Sequence, residues 1–101
     1  MKNGKRRNQI MTELTDAEIY NLTQQQFKRI DVILETVLIK STSYTKLKDE
    51  LVNLIGKKGI GLWNIKLTIK TLLMEATSFG ELKKSTLDLL YRLRELYEES
   101  K

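Results

Sequence analysis

The sequence predicts an all-α fold, arranged as an antiparallel four-helix bundle. Three observations lead there. Proline is absent from all 101 residues, so nothing breaks a long helix from within. Apolar residues recur at three- and four-residue intervals through most of the chain, the period of one buried helical stripe. Clusters of residues that cap or end helices interrupt that pattern at Ser41-Thr42-Ser43, at Gly56–Gly61 and at Thr77-Ser78. Short connections of this kind place consecutive helices side by side and antiparallel.

The first helix is expected to open at Thr15-Asp16-Ala17-Glu18, a spacing that lets Thr15 and Glu18 satisfy each other's free amides. Ile19, Leu22, Phe27, Ile30, Leu34, Val37 and Leu38 carry its buried stripe to about Lys40. Ser41-Thr42-Ser43 stops it and caps the next. Tyr44, Leu47, Leu51, Leu54 and Ile55 place a second helix at about 44–55, with Gly56 as its left-handed C′ residue. The third element, about 62–76, admits two readings. Trp63 to Lys70 alternates apolar and polar as a strand does. Leu62, Ile65, Ile69, Leu72, Leu73 and Ala76 also form one helical stripe, and a lone strand has no evident partner elsewhere, so helix is preferred. Ser78-Phe79-Gly80-Glu81 is a second capping box, and Leu82, Thr86, Leu89, Leu93 and Leu96 carry the last helix.

Residues 1–10 read as a flexible basic tail and 11–101 as a single helical-bundle domain. The tail has the positive start of a signal peptide without the apolar segment that follows one, and no apolar run approaches the ~20 residues that span a bilayer. A cytoplasmic location is expected, with peripheral attachment to a membrane as an extension of it.

Cysteine and histidine are both absent. That removes thiolate zinc sites, disulfides, the commonest general base near neutral pH and every Ser-His or Cys-His pair. Carboxylate clusters such as Asp49-Glu50 and Glu95/Glu98/Glu99 sit at helical spacing and read as solvated faces; Asp88 and Arg92 read as an i, i+4 pair. No catalytic, cofactor or metal site is expected, and the chain is read as a binding protein rather than an enzyme.

Net charge is +5 and unevenly spread. Residues 1–10 hold four positive charges and no negative one, and residues 40–70 carry a net +5. Such asymmetry points to an anionic partner or serves solubility. The second cluster surrounds Gly56-Lys57-Lys58-Gly59-Ile60-Gly61 and the only tryptophan, Trp63. On a helical wheel Trp63, Leu67 and Met74 make a second apolar strip, separated from the core stripe by Lys66 and Lys70. Either neighbouring helices bury this strip, or it is an exposed partner-binding patch made of Lys57, Lys58, Trp63, Lys66, Leu67, Lys70 and Met74. Nucleic acid is an alternative partner, in two forms. Helices 44–55 and 62–76 would make a helix-turn-helix with Asn64, Lys66 and Lys70 reaching DNA. Gly59-Ile60-Gly61-Leu62-Trp63 also resembles the hairpin of helix-hairpin-helix proteins, whose glycine amides hold a backbone phosphate.

Across residues 15–98 the layout is that of a basic chain with an amphipathic third helix leading into a leucine-spaced one that ends Leu93-Arg94-Glu95-Leu96-Tyr97. In this it resembles the immunity proteins that protect lactic-acid bacteria and streptococci from their own class II bacteriocins, the enterocin A immunity type. The resemblance implies a cytoplasmic antiparallel four-helix bundle without enzymatic activity. It further implies a protein partner at the inner membrane face, a receptor permease of the mannose phosphotransferase type.

Overall fold

Thr23 and Gln26 bond reciprocally. The Gln26 amide donates to Thr23 Oγ1 at 3.1 Å, and the Thr23 amide donates to Gln26 Oε1 at 3.0 Å. In the computed structural model, which describes residues 13–56 and 62–100, this capping box opens a new helix inside the stretch expected to be continuous. The single helix from Thr15 to Lys40 is therefore two, α1 (residues 13–20) and α2 (Gln24–Lys40). Thr15 and Glu18 lie within α1 rather than at its start, and both side chains reach across to another helix. Replacing Thr23 by alanine is expected to cost about 1 kcal/mol, the usual value of an N-cap hydroxyl, measurable as a shift in the urea midpoint.

The later boundaries follow the sequence closely. Helix α3 (Tyr44–Gly56) begins where Ser43 Oγ accepts the Lys46 amide at 3.3 Å. Gly56 is helical and its backbone is not left-handed, contrary to the expected C′ role. Helix α4 (Trp63–Glu75) resolves the ambiguous segment, and no strand occurs among the described residues. Helix α5 (Phe79–Glu99) starts at Ser78, whose Oγ accepts the Glu81 amide at 3.2 Å. The Glu81 carboxylate accepts in turn from Thr77 Oγ1 at 2.7 Å and Ser78 Oγ at 3.3 Å; the Thr77 bond leads in holding its pKa below the ordinary value. The fold is all-α, with five helices among the described residues rather than four.

One apolar cluster joins all five. Ile19 and Leu22 enter it from α1 and the adjoining turn, Ile30, Leu34, Val37 and Leu38 from α2, and Leu47, Leu51 and Leu54 from α3. Ile65 and Ile69 supply α4's share, and Leu82, Leu89, Leu90, Leu93 and Tyr97 supply that of α5. Helix α5 packs against α2, α3 and α4, and α3 also touches α2 and α4. Phe27 stacks on Tyr97 with ring centroids 4.0 Å apart, which fixes the rotation of α2 on α5. Tyr44 donates to the Ala76 carbonyl at 3.2 Å, tying the start of α3 to the end of α4.

Charged pairs fix the outer edges. Arg94 reaches Asp31 at 2.7 and 2.9 Å and Glu35 at 2.6 Å, so α5 is clamped to α2. The bonds to Asp31 first, then Glu35, raise the guanidinium pKa above its ordinary value. Arg92 does not take Asp88, the partner expected one turn away. It holds Asp16 of α1 through two bonds of 3.0 and 2.6 Å, because α1 lies within reach across the surface.

Candidate partner-binding face of α4

Helix α4 starts without a cap of its own. Its N-cap, Leu62, has no side-chain acceptor, which leaves the first-turn amides in need of partners. Glu18 of α1 supplies them. Its Oε2 accepts the Ile65 amide at 2.7 Å and its Oε1 the Asn64 amide at 3.2 Å. A carboxylate there also meets the positive end of the helix dipole. Thr15 lies 3.0 Å from Thr68 Oγ1, and Asn64 Nδ2 donates to the Leu14 carbonyl at 3.3 Å, so α1 is stapled along the first two turns of α4. Arg92–Asp16 and a 3.3 Å bond from Tyr20 to Glu99 hold the other side of α1 to α5. A helix of two turns is marginal alone, and these contacts account for its presence.

This docking fixes which way α4 faces. Ile65 and Ile69 point into the core, with Leu72 and Leu73 packed at its edge. On the opposite side Trp63 is 69% exposed and Met74 79%. Lys70 is exposed between them, while Lys66 and Leu67 are half-buried. Of the seven residues expected to bind a partner, Trp63, Leu67, Lys70 and Met74 share one outer strip, with Lys66 on its flank. Lys57 and Lys58 lie outside the described residues, as does the glycine-rich turn itself. Neighbouring helices therefore leave the second apolar strip largely open. The sequence reading missed one contributor: Leu14 of α1 is 50% exposed, and its carbonyl is bonded to the residue next to Trp63. A two-turn helix within an apparently continuous one offers little periodicity by which to place that side chain.

The strip offers aromatic and thioether surface beside positive charge, and no group of carboxylates among the described residues is arranged to hold a metal ion. Elsewhere Lys40, Ser41, Lys46, Asp49 and Glu50 line an open depression of about 270 Å³, with the Ser41 hydroxyl buried and without a protein partner. No described helix is long and apolar enough to cross a membrane. Compared with known proteins, the chain matches no family model, no curated protein and no solved structure.

Proposed function

We propose that this protein is a non-enzymatic binding protein of the bacteriocin-immunity kind, and that the outer strip of α4 is its partner-binding face. The observation that carries this reading is the outward position of Trp63 and Met74, two large apolar side chains on one helix flank beside Lys70. Exposed aromatic and methionine surface at such a density is the usual material of a protein contact. The layout supports the immunity part of the proposal. Helices α2 to α5 are read as the antiparallel four-helix bundle of that resemblance, with α1 as an added N-terminal segment that positions α4. The partner is then a receptor permease at the inner membrane face, and the protein works in the cytoplasm.

The nucleic-acid alternative fares less well on the same geometry. Asn64, one of its DNA-reading residues, is bonded to Leu14, and the α4 amides of Asn64 and Ile65 already serve Glu18. A phosphate at the start of α4 would have to displace that carboxylate.

Expression of the gene in a bacteriocin-sensitive strain tests the proposal. Protection against at least one class II bacteriocin is expected. Trp63→Ala should weaken protection without unfolding the protein, because truncating a central aromatic contact commonly costs about 2 kcal/mol or more, roughly 30-fold in affinity. Unchanged sensitivity across a broad panel would remove the immunity reading.

A further inference from the structure

On its outer side helix α5 carries Lys84, Asp88, Tyr91 and Glu95, all four exposed. At 100° per residue they fall within an arc of about 60°, so they form one line along roughly three turns. Helices α1 and α2 lie along its two edges, where Arg92 holds Asp16 and Arg94 holds Asp31 and Glu35. Tyr91 is 57% exposed at the middle of the line, with half-buried Leu87 one turn before it. The charges on the line are not used inside the fold. Arg92, one turn from Asp88, is taken by Asp16, and Lys84, Asp88 and Glu95 join no ion pair among the described residues. The last turn of α5 holds Glu98 and Glu99 and no basic residue, which sets negative charge at the negative end of its dipole.

We propose that this line is the contact between two copies of the chain, paired with their α5 helices antiparallel. The steps along Lys84, Asp88, Tyr91 and Glu95 are four, three and four residues, the same from either end. Laid against its own reverse about a two-fold axis, the line sets Lys84 opposite Glu95 of the second copy and Asp88 opposite Tyr91. Symmetry makes each contact twice. Two ammonium–carboxylate pairs then flank two bonds in which a Tyr91 hydroxyl donates to Asp88, and the tyrosine rings with Leu87 form the apolar centre. The negative end of each α5 dipole meets the positive end of the other. Charge selects this occupant. An anionic surface would meet Asp88 and Glu95, and a cationic one would meet Lys84, whereas the reversed line opposes no like charges. Three turns of one helix make a contact smaller than permanent interfaces, so the dimer is a reversible one. The inference rests on neither the α4 strip nor the immunity reading.

Sedimentation equilibrium of the full chain at low salt, from ~10 μM to ~1 mM, should show a mass rising from one chain toward two. Lys84→Glu and Glu95→Lys should each weaken the dimer roughly 10-fold or more, because each turns two attractive pairs into two repulsive ones. Mixed in equal amounts, these two variants should associate with each other about as well as the unsubstituted chain does with itself. One then carries acid at both ends of the line and the other base at both. Tyr91→Ala should also weaken the dimer roughly 10-fold or more, since it removes the central aromatic contact. All three sites are exposed, so circular dichroism should be unchanged. Trp63, the only tryptophan, lies on α4 and takes no part, so its emission should stay constant as the dimer forms.

Four results overturn the proposal. They are a monomer throughout that range, a dimer indifferent to both charge reversals, a mixture of the two variants that associates no better than either alone, and a dimer that shifts Trp63 emission, which would place the contact on α4 instead.

Discussion

Ile69→Lys is expected to unfold the domain, while Leu67→Lys two residues away should leave it folded. Ile69 is 2% exposed in the core between α4 and its neighbours. Emptying such a site with alanine costs about 2–5 kcal/mol. Lysine adds an unpaired charge in apolar surroundings, and the sum approaches or exceeds the ~5–10 kcal/mol that holds together a domain of this size. Leu67 is half-buried on the other flank, where a lysine can carry its ammonium out to water along its own stem. That change should cost about 1 kcal/mol. Urea unfolding followed by circular dichroism separates the two. Comparable collapse of both variants would mean that the outer strip is core and would remove the binding face with it.

Glu18→Ala should be the most damaging substitution of any charged residue. It strips two first-turn amides of α4 of their acceptor and takes a negative charge from the positive end of that helix. Charge-assisted bonds and N-caps of this kind suggest a loss of about 2 kcal/mol. Glu18→Gln keeps an acceptor but not the charge and should lose about half as much. The effect has a local signature. Hydrogen exchange at the amides of Asn64 and Ile65 should accelerate more than exchange in the middle of α5, since α4 would fray from its start. A uniform acceleration equal to the change in global stability would show that Glu18 has no special hold on α4.

The sequence was informative wherever a structural feature is set within a few residues. Ser43 and Ser78 cap the helices that follow them, and Ile65, Ile69, Leu47, Leu51 and Leu54 point inward as their spacing requires. The break after α1 is equally local, and the Thr23-Gln24-Gln25-Gln26 signal for it is present. It was masked because Leu22, Phe27 and Ile30 extend the apolar stripe across the turn. Longer-range features could not be read this way. Glu18 sits at the correct spacing for its own helix's capping box and instead caps a helix 46 residues away. Arg94 and Arg92 likewise choose carboxylates 63 and 76 residues distant over near neighbours. Spacing also gave the position of Trp63 on the helical wheel. It could not say whether another helix covers that side, because this depends on where α1 and α5 pack.

Collisional quenching of Trp63 fluorescence by acrylamide in the free protein decides whether the outer strip of α4 is open to solvent, because one tryptophan reports on one face. A solvent-like, red emission maximum is expected, with quenching nearly as efficient as in the urea-unfolded chain, since Trp63 projects from α4 and is 69% exposed. A blue maximum with strong shielding from acrylamide, in folded monomeric protein, would place Trp63 under a neighbouring element and contradict the outer face of α4 as the surface this protein uses.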